Sequence, residues 1–223
     1  MSSAAKPVLK MGRSSRRADR IAAVAFVLHG GTEWSHAPTR PWSPSVLRMH
    51  PIAWYLRRRG REHGLAVWSL RFAVRGWNGD EMSPMADVRW ALEEVRSRHG
   101  DVPVALVGHS MGGRAALRAG GGQVRSVVAL APWLPAGEPV DRLAGCSVLI
   151  AHGNKDRRTS HKRSREFAHE AAAVAEHVSY VEVRGSGHAM LRRARRWHRL
   201  TTDFVLGSVG FATPAPTSRD HGV

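Results

Sequence analysis

The chain of 223 residues has a single cysteine, Cys146. That excludes an internal disulfide framework and any cysteine-built metal site. Long apolar runs are also missing. The stretch Ile21 to Leu28 is short, far below the ~20 apolar residues that a membrane-crossing helix needs. Lysine is scarce: only Lys6, Lys10, Lys155 and Lys162 occur, so arginine supplies nearly all of the 34 basic residues. No internal repeat appears, and no linker divides the chain. What remains, 43% apolar residues and eight tryptophans, suits one domain with a real core rather than a disordered chain.

The formal charge is +16. A dense positive surface attracts polyanions by counterion release. Two clusters stand out, Arg57, Arg58, Arg59 and Arg61, then Arg192, Arg193, Arg195, Arg196 and Arg199. Both fall in helix-like stretches without the interleaved aromatics of a single-strand stacking platform. They therefore read as solvated surface, and a nucleic-acid partner is not expected. Residues 1–19 are basic and small and read as a disordered tail. Ser15-Arg16-Arg17 imitates an export signal, but no small-residue cleavage site follows Leu28. The expected location is cytoplasmic, without membrane association. The Gly-, Pro-, Ser- and Thr-rich end, 207–223, reads as a flexible tail, which leaves 20–206 as the folded domain.

Within that domain, short apolar runs alternate with helix-like stretches. The predicted strands are Ala22–Leu28, Ala66–Phe72, Val102–Val107, Ser126–Leu130, Ser147–Ala151 and Ser179–Val183. Nearly continuous apolar character marks strands buried on both faces. Pro84–Arg98 places Met85, Val88, Leu92 and Val95 on one helical face, and Ser160–Ala175 and Arg192–Val205 read as helices too. The alternation implies a mainly parallel sheet with helices on both faces. In such sheets functional groups gather beyond the carboxyl ends of the strands. The segments found there are His29-Gly30-Gly31-Thr32, Gly108-His109-Ser110-Met111-Gly112-Gly113, Ala131-Pro132-Trp133, His152-Gly153-Asn154-Lys155-Asp156 and Gly185-Ser186-Gly187-His188.

Gly108-x-Ser110-x-Gly112, between a buried strand and a helix start, has the pattern of a nucleophile elbow. A serine in such a turn needs neighbours without bulk two positions before and after it. A serine hydroxyl also needs a base, and the base needs a carboxylate to fix its tautomer. Among 13 histidines, His188 is the candidate base, since a loop after the last strand can reach Ser110. His109 is expected to point back into the fold, and His152 to be a packing or hydrogen-bonding residue. Asp156 is the candidate carboxylate, with Asp141 its main competitor. Candidate oxyanion donors are the backbone N–H groups of Met111 and Gly31, with Thr32 as the neighbouring option.

These segments, taken together, resemble the α/β-hydrolase superfamily in order and spacing over about residues 22–206. The resemblance implies an α/β-hydrolase fold with about six strands and no cap domain, because only a short Pro- and Gly-bearing stretch separates Leu130 from Ser147. It implies a serine hydrolase that cleaves a carboxylic ester through an acyl-enzyme, with catalytic Ser110, Asp156 and His188 and no cofactor or metal. The expected partner is a small-molecule acyl substrate, with Thr32, Trp34 and Trp133 as candidate contacts; Trp42 and Trp77 lie on the same edge. Arg71 and Arg75 are candidates for an anionic substrate group. Three alternatives stay open: a thioesterase acting on carrier-linked acyl groups, a cofactor-free haloperoxidase, and an inactive scaffold that binds polyanions. The oligomeric state is left open.

Overall fold

The computed structural model describes residues 5–12 and 21–211. A seven-stranded sheet organises them, in the order β1-β3-β2-β4-β5-β6-β7. The strands are β1 (Val8–Met11), β2 (Ala23–Leu28), β3 (Leu65–Arg71), β4 (Val104–His109), β5 (Val124–Leu130), β6 (Ser147–Gly153) and β7 (His177–Val183). All pairings from β3 to β7 are parallel, and β1 runs antiparallel along β3. The helices are α1 (Pro44–Leu47), α2 (His50–Gly60), α3 (Ser83–His99), α4 (Met111–Arg118), α5 (His161–Ala171) and α6 (Ala194–Ser208).

Strand alternation divides the core in two. Val24, Phe26 and Leu28 of β2, with Leu106 of β4, face a layer built by α3, α4 and α5 through Val88, Val95, Leu117 and Phe167. Ala23, Ala25 and Val27, with Val107, face α2 and α6 through Ile52, Leu56, Trp197 and Leu206. Every residue of β2 and β4 is buried, which is why these strands read as unbroken apolar runs. Helix starts follow local chemistry. Pro44, near the start of α1, and Pro84 in the first turn of α3 need no amide partner there. Ser160 caps α5 by accepting from the Arg163 amide at 3.2 Å.

Two sequence expectations need correction. The stretch 1–19 is not wholly a disordered tail, since Val8–Met11 forms β1, pairing Val8 with Arg71 and Met11 with Trp68. The sheet thus has seven strands, close to the expected number of about six. β1 is an edge strand whose only inward residue, Leu9, packs on the core; Lys10 leaves it one short alternation too faint to separate from basic surface. The remainder of that stretch, 1–4 and 13–19, lies outside the described residues. At the other end α6 continues through Ser208, and Val209 is buried; residues 212–223 lie outside the described residues. Between β5 and β6 the described chain holds one turn of 3-10 helix, Asp141–Leu143, and no cap domain. No described helix is long and apolar enough to cross a membrane.

Candidate active site

Ser110 sits in the turn between β4 and α4, at the N-cap of α4, with φ 55° and ψ −117°. A non-glycine residue rarely adopts such a backbone, and a fold retains it only where its surroundings over-determine it. Here they do. The Ser110 amide donates to the Leu130 carbonyl at 3.0 Å, and the Ser110 carbonyl accepts from the amides of Trp133 at 3.2 Å and Arg114 at 3.1 Å. A Cβ on Gly108 would strike the carbonyl of Gly112, and one on Gly112 would strike the carbonyl of His29. The two positions expected to lack bulk are thus held bare by direct backbone approach.

Three side chains from three strand ends meet at this turn. His188 Nε2 lies 3.1 Å from Ser110 Oγ, and His188 Nδ1 lies 2.8 Å from Asp156 Oδ2. A carboxylate only accepts, so Nδ1 carries the proton and Nε2 is free to accept the serine hydroxyl proton. The Asp156 side chain is fully buried. Burial alone would raise its carboxyl pKa. Hydrogen bonds from His152, His188 and the amides of Thr159 and Arg158 outweigh that and hold the group below the usual carboxylate range. The array can pass a proton from a hydroxyl to an imidazole and stabilise the resulting imidazolium.

Further side chains hold these three in place. His152 Nε2 donates to Asp156 Oδ2 at 3.1 Å, which leaves its Nδ1 to accept from Ser164 Oγ at 2.8 Å. Thr159 Oγ1 sits 2.9 Å from Asp156 Oδ2 and 3.1 Å from His188 Nδ1. His109 Nε2 donates to the backbone carbonyl of His188 at 2.9 Å. Burial, with the charges of His188 and Arg48 adding to it, pushes the His109 pKa down to about 3, so the ring is a neutral strut. The His188 loop is tied to its neighbour by the Lys155 amide on the Ser186 carbonyl at 2.9 Å and by Trp197 Nε1 on Ser186 Oγ at 3.0 Å.

The loop after β2 faces the serine from the other side. His29 Nδ1 donates to the Gly30 carbonyl at 2.6 Å, while its Nε2 accepts from the Phe72 amide at 3.0 Å. Thr32 donates its amide to the Arg75 carbonyl at 2.9 Å. That bond occupies the Thr32 amide, which leaves the Gly31 N–H as the candidate oxyanion donor of this loop. At the elbow, the first intrahelical bond of α4 runs from Arg114, so the Met111 amide has no partner within its helix.

The cleft over Ser110 has a volume of about 220 Å³, and its lining includes Gly30, Gly31, Thr32, Thr39, Arg48, Arg75, His109, Arg158 and His188. A larger hollow of about 710 Å³, lined by Met85, Arg89, Arg118 and Asp141, holds none of these groups. The smaller hollow is the one into which the candidate nucleophile Ser110 opens.

Several sequence candidates fall elsewhere. Trp34 and Trp133 do not line the cleft. Trp34 is exposed, with its ring edge against Gly79. Trp133 stacks on the Arg114 guanidinium, 4.7 Å from its ring centre, and meets Trp77 edge-on. Trp42 is exposed beside Arg40. The carboxylate competitor Asp141 is exposed. Arg71 donates to the Thr39 carbonyl, whereas Arg75 does line the cleft. Sequence reading missed Arg48, Arg158 and Thr159. The Asp156-x-Arg158-Thr159 turn signal was visible, but nothing local shows that Arg48, from α1, folds over the serine.

No protein-family model and no curated protein sequence matches the chain, so likeness is found in structure. A thermophilic esterase from Thermogutta terrifontis superposes with a TM-score of 0.68 at 19% identity, covering 93% of this chain and 91% of that one. An α/β serine hydrolase without a lid from Xanthomonas campestris gives 0.62 at 18% identity, covering 93% and 91%. The esterase Est1E from Butyrivibrio proteoclasticus, with ferulic acid bound, gives 0.65 at 12% identity, covering 91% and 95%. The chain has the α/β-hydrolase fold, in a form without a cap domain among the described residues.

Proposed function

We propose that this protein is a serine hydrolase that cleaves carboxylic esters through an acyl-enzyme on Ser110. The observation that carries the reading is the unbroken contact series Ser110–His188–Asp156, at 3.1 and 2.8 Å, on a strained turn that opens into a cleft. The esterases and serine hydrolases among the structural neighbours support it.

In this reading Ser110 Oγ attacks the acyl carbon while its proton passes to His188 Nε2. The carbonyl oxygen becomes an oxyanion that accepts from the N–H groups of Met111 and Gly31. As the ester C–O bond breaks, His188 returns the proton to the leaving alkoxide, and an acyl-enzyme remains on Ser110. Water then adds to the acyl carbon, giving its proton to His188. Collapse of the second tetrahedral species frees the acid and restores the serine proton. Asp156 keeps the Nδ1 proton in place and stabilises the imidazolium in both half-reactions, and it stays ionised throughout. No cofactor is called for.

Turnover of p-nitrophenyl acetate, butyrate and octanoate beside a matched thioester tests the reading. The expected result is ester hydrolysis with burst release of nitrophenol, abolished in Ser110→Ala. Turnover that survives Ser110→Ala would assign the chemistry to another group. A preference for the thioester of more than tenfold would move the substrate class to thioesters.

A further inference from the structure

Three arginines and, among the described residues, no acidic residue line the cleft over Ser110: Arg48 from the end of α1, Arg75 from the loop after β3 and Arg158 from the loop after β6. Among the described residues none of the three has an acidic side chain within ion-pair distance. Asp156, two residues before Arg158, has a fully buried side chain held by His152, His188, Thr159 and the Arg158 backbone amide. The charge of Arg158 also acts on Arg48. Burial and the charge of Arg158 both lower the Arg48 pKa from its ordinary value, a repulsion that a fold built only for stability has no reason to keep.

A second observation is independent of charge. Thr39 is buried to within 2% and lines the same cleft. Its backbone is satisfied, the amide donating to the Ala73 carbonyl at 3.0 Å. Its Oγ1 nevertheless has no hydrogen-bond partner among the described residues. A buried hydroxyl without a partner costs about 1–3 kcal/mol, so its retention within the lining of this cleft points to a ligand acceptor.

We infer that the substrate of this site carries, besides the scissile acyl bond, an oxyanion group (carboxylate or phosphate) that is bound by Arg48 and Arg158, with Arg75 and the Thr39 hydroxyl beside them. The inference rests on the serine-hydrolase reading for its reaction, but not for its binding site. Guanidinium groups match carboxylate and phosphate oxygens by paired N–H donors. A bound anion would relieve the Arg48–Arg158 repulsion and occupy the free hydroxyl. Neutral fatty esters meet neither need.

Matched ester pairs test this directly. The p-nitrophenyl half-ester of glutaric acid is compared with p-nitrophenyl valerate, and 4-acetoxyphenyl phosphate with 4-methoxyphenyl acetate. These put the charge on the acyl side and on the leaving-group side. For at least one pair the expected kcat/KM favours the charged member by tenfold or more at low salt. The preference should shrink about tenfold in Arg48→Gln and in Arg158→Gln, and should keep its wild-type value in Arg142→Gln. A ratio at or below one in both pairs, or a ratio untouched by Arg48→Gln and Arg158→Gln, overturns the inference while leaving the hydrolase reading intact.

A second measurement needs no turnover. Glutarate and inorganic phosphate are titrated calorimetrically into Ser110→Ala protein, with and without Arg48→Gln. Saturable binding of one of them, weakened at least fivefold by Arg48→Gln, supports the anion site even if no ester is hydrolysed. Absent binding, or binding that Arg48→Gln does not change, counts against it.

Discussion

Two arginine groups in this molecule have the same charge and opposite surroundings. Behind α4, Arg114 and Arg118 converge on Glu138, with Nε–Oε contacts of 2.8 and 2.5 Å, and the Glu138 side chain is 1% exposed. The Arg114 guanidinium also lies 4.0 Å from the ring centre of Trp77. Over Ser110, Arg48, Arg75 and Arg158 share a cleft that no acidic residue lines among the described residues. In the first group the acid and the aromatic faces complete the arginines, so their work is structural. In the second the counter-charge is left to come from outside. The formal charge of +16 adds both kinds together, and only the presence or absence of a partner tells them apart.

On the proposed reading the largest expected effect lies beside the unpaired group. Asp156→Asn should lower kcat by about 10⁴, about 5 kcal/mol, with the fold intact, because the amide favours the wrong His188 tautomer. Asp141→Asn is the control and should turn over esters at the wild-type rate. Steady-state kinetics with circular dichroism checks both; full activity in Asp156→Asn would assign the carboxylate role elsewhere.

Breaking the paired group should instead be a stability event. Glu138→Ala leaves Arg114 buried without its acid, and urea denaturation should show a loss of about 3–5 kcal/mol. Arg158→Gln, exposed and unpaired, should stay within about 0.5 kcal/mol of wild type. Comparable losses in the two variants would erase the distinction between the groups.

The oxyanion loop comes next. A Cβ at Gly31 would strike the Arg75 carbonyl, so Gly31→Ala should displace that N–H and lower kcat by about 10²–10³, with KM much less affected. Unchanged kcat would remove Gly31 from the oxyanion hole.

The smallest effect is set by pH. Burial first, then the charge of Arg71, lowers the His29 pKa to about 4, and His109 falls to about 3. Unfolded histidine titrates near 6.5, so below that pH the unfolded chain binds protons that the native chain refuses. The native state is therefore fully favoured above about pH 6.5 and loses stability as pH falls toward the native values. Between pH 7.5 and 5 the expected loss is about 2 kcal/mol for each histidine. Arg48→Gln should lessen the share of His109. Urea midpoints across that range measure it, and a flat profile would contradict the neutral-strut role.

Much of this was legible in the sequence, for physical reasons. Both faces of β2 and β4 are buried, so their composition alone reveals them. The elbow is local, since Gly108, Ser110 and Gly112 make their own constraint within five residues. Strand order then placed Asp156 and His188 at the same sheet edge. What was not legible depends on distant partners. β1 gains its meaning only from β3, Arg48 comes to line the Ser110 cleft only through the placement of α1, and Trp133 stacks on the Arg114 cation instead of lining that cleft. A tryptophan on the correct loop carries no sign of which way its ring points.

The most direct test of the central claim, an activated serine in the native fold, is covalent labelling by a fluorophosphonate probe followed by peptide mapping. Ser110 should carry the label in native protein, with none in Ser110→Ala or heat-denatured protein. Well-folded wild-type protein that resists the probe, or carries it on another residue, would contradict that claim.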